Sequence, residues 1–220
     1  MRKLAVAVAI AMIWLMVPLA NADSILVDPA YWTGTRYGDN PSQVIGNGVW
    51  NDPGGFSISW VITQNPDMTY HYSYTFNAPV GAVSHWIMEV SSNFTEENIW
   101  NIVGTIDGGL DTYGISQGNP GIPGNIFGIK WGSDQSISFD SDRAPMWGDF
   151  YAKDGMAGGQ GQNYAYNTGF GTDPTSPTQS FDAWIPVPDT HTTTVPEPTT
   201  LALFGVGLAG LLGLRRKSNR

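Results

Sequence analysis

A serine framed by glycines, three histidines and nineteen carboxylates are the side chains of this chain whose types and spacing admit chemistry. Residues 114–118, Gly-Ile-Ser-Gln-Gly, have the G-x-S-x-G spacing of a nucleophile elbow, which raises its serine on a strand-to-helix turn. Asn119, Pro120, Gly121, Ile122, Pro123 and Gly124 follow at once and cannot continue as helix, so no acyl-transfer nucleophile is expected at Ser116. His71 and His85 lie in two runs of alternating polarity, and His191 lies further on, in a Thr- and Pro-rich stretch. If residues 68–76 and 80–90 form a hairpin centred on Ala78, Tyr70 faces Trp86, Met68 faces Met88, and His71 faces His85 about 5 Å away. Two imidazoles so placed hold a metal only with a further ligand. Glu89 is four residues from His85, roughly 13 Å along a strand. A solvated or partly packed histidine pair is the expectation.

The carboxylates give no clearer pattern. Asp140-Ser141-Asp142 and the Asp107–Asp111 pair resemble the start of a calcium loop, but Ala144 stands where a third ligand belongs. At most a weak calcium site is expected, and otherwise no cofactor and no metal. Glycoside hydrolysis needs two carboxylates at a set separation, and nothing in the sequence selects a pair. No catalytic residue is assigned. Eight tryptophans (Trp32, Trp50, Trp60, Trp86, Trp100, Trp131, Trp147, Trp184) fall in the central region, most of them expected in the core and one or two as exposed platforms of the kind that sugars stack on. The densest unusual stretch is residues 141–155, which reads as a strand ending in a Lys-Asp-Gly turn. Arg143 is expected to pair with Asp142 or Asp149, while Asp149 and Lys153 lie too far apart along the strand to meet.

The elements that must position these groups are strands. Phe56, Ile58, Trp60 and Ile62 alternate with mostly polar residues, and Met68, Tyr70, Tyr72, Tyr74 and Phe76 alternate with Thr69, His71, Ser73 and Thr75. Asn65-Pro66-Asp67 between them supplies turn chemistry. Residues 82–90 place Ser84, Trp86, Met88 and Val90 on one side. Further short strands fit at 25–27, 44–50, 126–131, 137–140, 146–153 and 181–187, with one helical turn or two near 95–102. Many short strands separated by Gly- and Asn-rich turns predict an all-β, antiparallel β-sandwich of jelly-roll-like form.

Both ends read as addresses. Arg2 and Lys3 precede an apolar run over residues 4–19, and Ala20-Asn21-Ala22 places small residues where signal peptidase cuts before Asp23. At the other end, residues 201–214 are fourteen without a charge, followed by Arg215, Arg216 and Lys217. As a helix that run would span roughly 21 Å, short for the roughly 30 Å hydrocarbon core, with the arginines on the cytoplasmic side. The expected division is a signal peptide over 1–22, an exported domain over 23–185, a Pro/Thr-rich spacer over 186–200, and a hydrophobic anchor helix with basic tail over 201–220.

Charge narrows the partners. Residues 23–194 keep four basic residues, Arg36, Lys130, Arg143 and Lys153, against eighteen acidic ones, a balance of −14. Nucleic acid is bound mainly through Lys and Arg and is excluded as a partner. With no cysteine there is no disulfide scaffold and no thiol nucleophile.

Val195-Pro196-Glu197-Pro198, the glycine-bearing apolar run and the Arg-Arg-Lys end together resemble the PEP-CTERM sorting signal of Gram-negative bacteria. The resemblance covers residues 195–220 and implies that an exosortase processes the chain at or near Pro196, Glu197 and Pro198 after transient anchoring in the inner membrane. Residues 141–155 are similar to a segment of other PEP-CTERM proteins. The implied destination is the cell surface or the extracellular matrix, with exopolysaccharide as a partner. The expected role is non-enzymatic, structural or adhesive. A carbohydrate-binding module with a defined glycan site is the first alternative and a glycan-active hydrolase the second.

Overall fold

The computed structural model describes residues 25–155 and 163–189. The signal peptide with Ala20, Ala22 and Asp23, the sorting motif Val195 to Pro198, the apolar run, Arg215, Arg216, Lys217 and His191 lie outside the described residues. Among those described, no helix is long and apolar enough to cross a membrane.

The fold is an antiparallel β-sandwich. One sheet has five strands, in the order β1 (Thr33–Tyr37), β3 (Ser57–Gln64), β4 (Tyr70–Asn77), β9 (Ser136–Ser141), β6 (Ile99–Val103). The other has six, in the order β2 (Val44–Gly46), β12 (Tyr164–Asn167), β11 (Phe150–Asp154), β5 (Val83–Glu89), β8 (Ile126–Trp131), β7 (Ile106–Tyr113). A two-stranded ribbon of β10 (Ala144–Gly148) and β13 (Ile185–Asp189) lies alongside, and Leu26 bridges to Met146 on its other flank.

Alternation built this core as expected. Ile58, Trp60, Ile62, Tyr72, Tyr74 and Phe76 of the five-stranded sheet are buried against Trp86, Met88, Ile129, Trp131 and Phe150 of the six-stranded one. The rings meet across the layers: Phe76 and Trp86 lie 4.7 Å apart between centroids, Trp131 and Phe139 5.4 Å. Such aromatic pairs add to the hydrophobic stabilisation of area burial.

The expected hairpin of residues 68–76 and 80–90 does not form. β4 pairs with β3 and β9, whereas β5 pairs with β11 and β8, so the two runs belong to different sheets. The five-residue connection arches from one layer to the other, with Gly81 at φ +70° and the Trp50 Nε1 proton shared by the carbonyls of Val80 and Gly81. The physical reason is burial: both strands carry an aromatic face, and facing each other across a core hides both faces, which lying side by side would not.

Several boundaries also move. The expected strand 146–153 is two strands broken at Asp149, where the chain passes from the ribbon into the six-stranded sheet. Thr95 and Asn98 form a capping box around a single 3-10 turn, Glu96–Asn98, and the chain then continues as β6 rather than helix. The ribbon keeps Pro186 through Asp189, with Val187 fully buried and Tyr74 Oη donating to the Pro186 carbonyl at 2.8 Å, so the folded unit extends past the expected end at 185.

Candidate functional site

A groove of about 620 Å³ lies beside the ribbon. One wall is the first described segment. Asp28 accepts from the Ala30 amide at 2.8 Å and caps the 3-10 turn Pro29–Tyr31, which sets Tyr31 and Trp32 in place. Trp32 Nε1 donates to the Val27 carbonyl at 3.1 Å, and its ring meets Tyr70 edge-on at 5.9 Å. The other wall is the segment carrying Thr178, Gln179 and Phe181. Phe181 stacks on buried Trp147 at 4.9 Å, and Tyr31 packs edge-on against both rings. Tyr31 is 48% exposed and Trp32, Tyr70 and Phe181 are half-buried, so the groove offers aromatic surface bordered by hydroxyl, amide and carboxylate groups. That combination suits the apolar face and hydroxyl rim of a sugar ring.

Two buried devices hold the second wall. Arg36, 8% exposed, donates from Nη2 to the Phe181 carbonyl at 2.9 Å and from Nε to the Trp184 carbonyl at 3.2 Å, while its guanidinium lies over the Trp60 ring at 5.0 Å. Asp149 accepts from Asn167 Nδ2 at 2.7 Å and from the Gly171 amide at 2.5 Å, and its own amide donates to Glu89 Oε2 at 2.7 Å. Burial pushes the Asp149 carboxyl up to about 7, and burial together with the Asp149 charge pushes Glu89 well above its usual range.

A second, apolar groove of about 340 Å³ opens between the edge strands β6 and β7, lined by Phe94, Ile99, Ile102, Ile106, Leu110 and Ile129 among others. Among the described residues each groove is lined by one carboxylate, Asp28 in the first and Glu96 in the second.

The structure separates the groups singled out from the sequence. His71 Nδ1 is 2.7 Å from Asp140 Oδ1 in the five-stranded sheet, whereas His85 Nε2 is 2.9 Å from Asn119 Oδ1 on the six-stranded one, so His71 and His85 do not pair. Ser116 occupies an exposed turn, with its Oγ accepting from the Asn119 amide and no helix behind it. Asp140 receives His71 and Asn101, Asp142 receives Asn98 Nδ2, and Asp107 pairs with Lys130 at 3.5 Å. Among the described residues no three His, Asp or Glu side chains converge as metal ligands. Arg143 takes Asp142, at 3.7 Å, with Asn93 and Asn98 as further partners. Of the eight tryptophans, six are buried, most of them in the core as expected, and Trp32 and Trp100 are half-buried; the other open rings of the groove are Tyr31, Tyr70 and Phe181. The position of Tyr31 beside a proline turn, outside any alternating run, gave no sign of this.

The remaining signal is in the tail. The family model described as the PEP-CTERM protein-sorting motif matches residues 194–217. This chain carries a PEP-CTERM sorting motif. It is therefore an exported protein sorted and processed at the membrane by an exosortase. The match embraces Val195, Pro196, Glu197 and Pro198 and the basic cluster Arg215, Arg216 and Lys217. No curated protein and no solved structure matches the chain.

Proposed function

We propose that the exported domain is a non-catalytic, adhesive protein of the cell surface or extracellular matrix that contacts glycans through the groove of Tyr31, Trp32, Tyr70 and Phe181. Signal peptidase would release it before Asp23, residues 201–214 would hold it briefly in the inner membrane, and exosortase processing near Pro196–Pro198 would free it toward an exopolysaccharide. The observation that carries this reading is the groove itself: four partly open aromatic rings framed by Asp28, Thr178 and Gln179. Among the described residues one carboxylate, Asp28, lines the groove, whereas glycoside hydrolysis needs two.

Electrophoresis of the mature protein through gels cast with neutral glucans tests the reading. Retardation is expected for the wild type and should be lost in Tyr31→Ala, whose Tm should fall only modestly, since two edge-on ring contacts go but the Tyr31 carbonyl that accepts from Trp60 Nε1 stays in place. A wild type that migrates as freely as in plain gels would end the proposal.

A further inference from the structure

The two outer faces of the sandwich differ. On the six-stranded sheet, residues 114–125 lie over the strands: Ile122 packs with Ile87 and Tyr151, Tyr151 Oη donates to the Pro120 carbonyl at 2.6 Å, and His85 meets Asn119. On the five-stranded sheet every outward-facing residue is half-buried or exposed. The register lines these residues up in rows across the strands. Thr35, Ser59, Thr75 and Ser136 form one row, and its hydroxyls bond across strands, Thr35 with Ser59 at 3.0 Å and Thr75 with Ser136 at 3.3 Å. Thr33, Val61, Ser73 and Ser138 form the next. Neighbours stand about 4.8 Å apart between strands and about 6.8 Å apart between rows.

What this face lacks is charge. Among its outward positions the one acid is Asp140, whose oxygens receive His71 and Asn101, and no Lys, Arg or Glu stands there. That sets it apart in a region, residues 23–194, with eighteen acidic and four basic residues. Charged side chains lose hydration at a cost when a neutral surface covers them, whereas hydroxyls both donate and accept and so exchange water for another hydroxyl in kind. Apolar points are interspersed: Tyr37, Val61 and Val103 are 49%, 47% and 62% exposed. The cross-strand hydroxyl bonds order the row in advance, which lowers the cost of association. Neither groove is lined by these residues, so the face offers an open surface rather than a cleft.

We propose that the outward face of the five-stranded sheet docks onto a neutral polysaccharide packed into a solid surface. The hydroxyl rows hydrogen-bond sugar hydroxyls, and Tyr37 and Val61 lie against ring C–H groups. This inference rests on the glycan reading but shares no residue with the groove of Tyr31 and Phe181, and it adds an extended surface to a groove that takes a single chain. A polyanionic polymer is disfavoured, since the acidic residues of the rest of the domain repel it.

Depletion of the mature protein from solution by microcrystalline cellulose in about 150 mM salt is the test, with phosphocellulose as the anionic counterpart. The wild type should pellet with cellulose and stay in solution with phosphocellulose. Val61→Lys combined with Thr75→Lys places two ammonium groups at exposed positions in adjacent rows. This double variant should lower the bound-to-free ratio on cellulose about tenfold, with Tm within about 3 °C of wild type and retardation by soluble glucans kept. Thr75→Lys alone serves as a second variant if the double one does not fold. Tyr31→Ala should still pellet, so failure of this face and failure of the groove are distinguishable. A wild type that stays in solution, equal pelleting on both matrices, a double variant that pellets like wild type, or pelleting lost in Tyr31→Ala would each overturn the assignment. So would sedimentation of a dimer that the double variant dissociates, since the face would then belong to a second copy.

Discussion

Phe76 and Trp86 are ten residues apart in sequence and pack with ring centroids 4.7 Å apart, yet they stand in opposite sheets. Their contact closes the arch between β4 and β5 and joins the two layers near the centre of the core. Removing either ring leaves a cavity that rigid neighbours such as Tyr74 and Trp131 cannot fill.

Trp86→Ala should therefore lower unfolding free energy by about 3–5 kcal/mol. Urea denaturation of the mature protein followed by tyrosine and tryptophan fluorescence measures it. A loss under about 1 kcal/mol would mean that the sheets do not meet at this ring.

Arg36 fixes the groove wall through carbonyls rather than through its ion pair. The Asp182 carboxylate is 3.9 Å away and half exposed, a geometry that contributes about 0–1 kcal/mol. Arg36→Met should cost roughly 2–3 kcal/mol, since hydrogen bonds from a charged donor to buried carbonyls are lost. Asp182→Asn should be nearly neutral. Equal losses for the two variants would reverse this ranking.

Stability should fall as pH rises from 5 to 8. The Asp149 carboxyl goes from an ordinary value of 3.8 to about 7 on folding, so between those values the folded protein binds more protons than the unfolded chain. That contribution is complete below about pH 4 and is lost as pH climbs through about 7. Glu89, shifted in the same direction, adds to it, as does relief of the net negative charge at low pH. Glu89→Gln keeps an acceptor for the Asp149 amide and should flatten the Tm–pH profile and raise Tm at pH 8. An unchanged profile in this variant would rule out the buried acid pair as the cause.

Glu197 is the one charge in the Val-Pro-Glu-Pro segment of the matched motif and stands between two prolines in sequence. Glu197→Ala should leave a full-length species in the membrane fraction, seen by immunoblotting an epitope placed after Arg220. Processing at the wild-type rate would show that the acid is not read.

What the sequence determined is what local pattern can encode. Period-two alternation at Ile58, Trp60 and Ile62 and at Tyr72, Tyr74 and Phe76 told which side of each strand is apolar, and those sides are buried. The tail was legible for a similar reason: a sorting signal is a linear order of proline, acid, apolar run and basic stop. The glycine-rich β7 and the short β12 escaped notice because neither presents a long apolar alternation. Tertiary structure alone decided which strand lies beside which. It sent His71 to Asp140 and His85 to Asn119, divided residues 144–154 between the ribbon and the six-stranded sheet, and put Lys153 between His85 and Tyr164. A five-residue connection serves a hairpin or an arch equally well, and the choice between them follows from how much aromatic surface each hides, a sum over distant residues that no local spacing records.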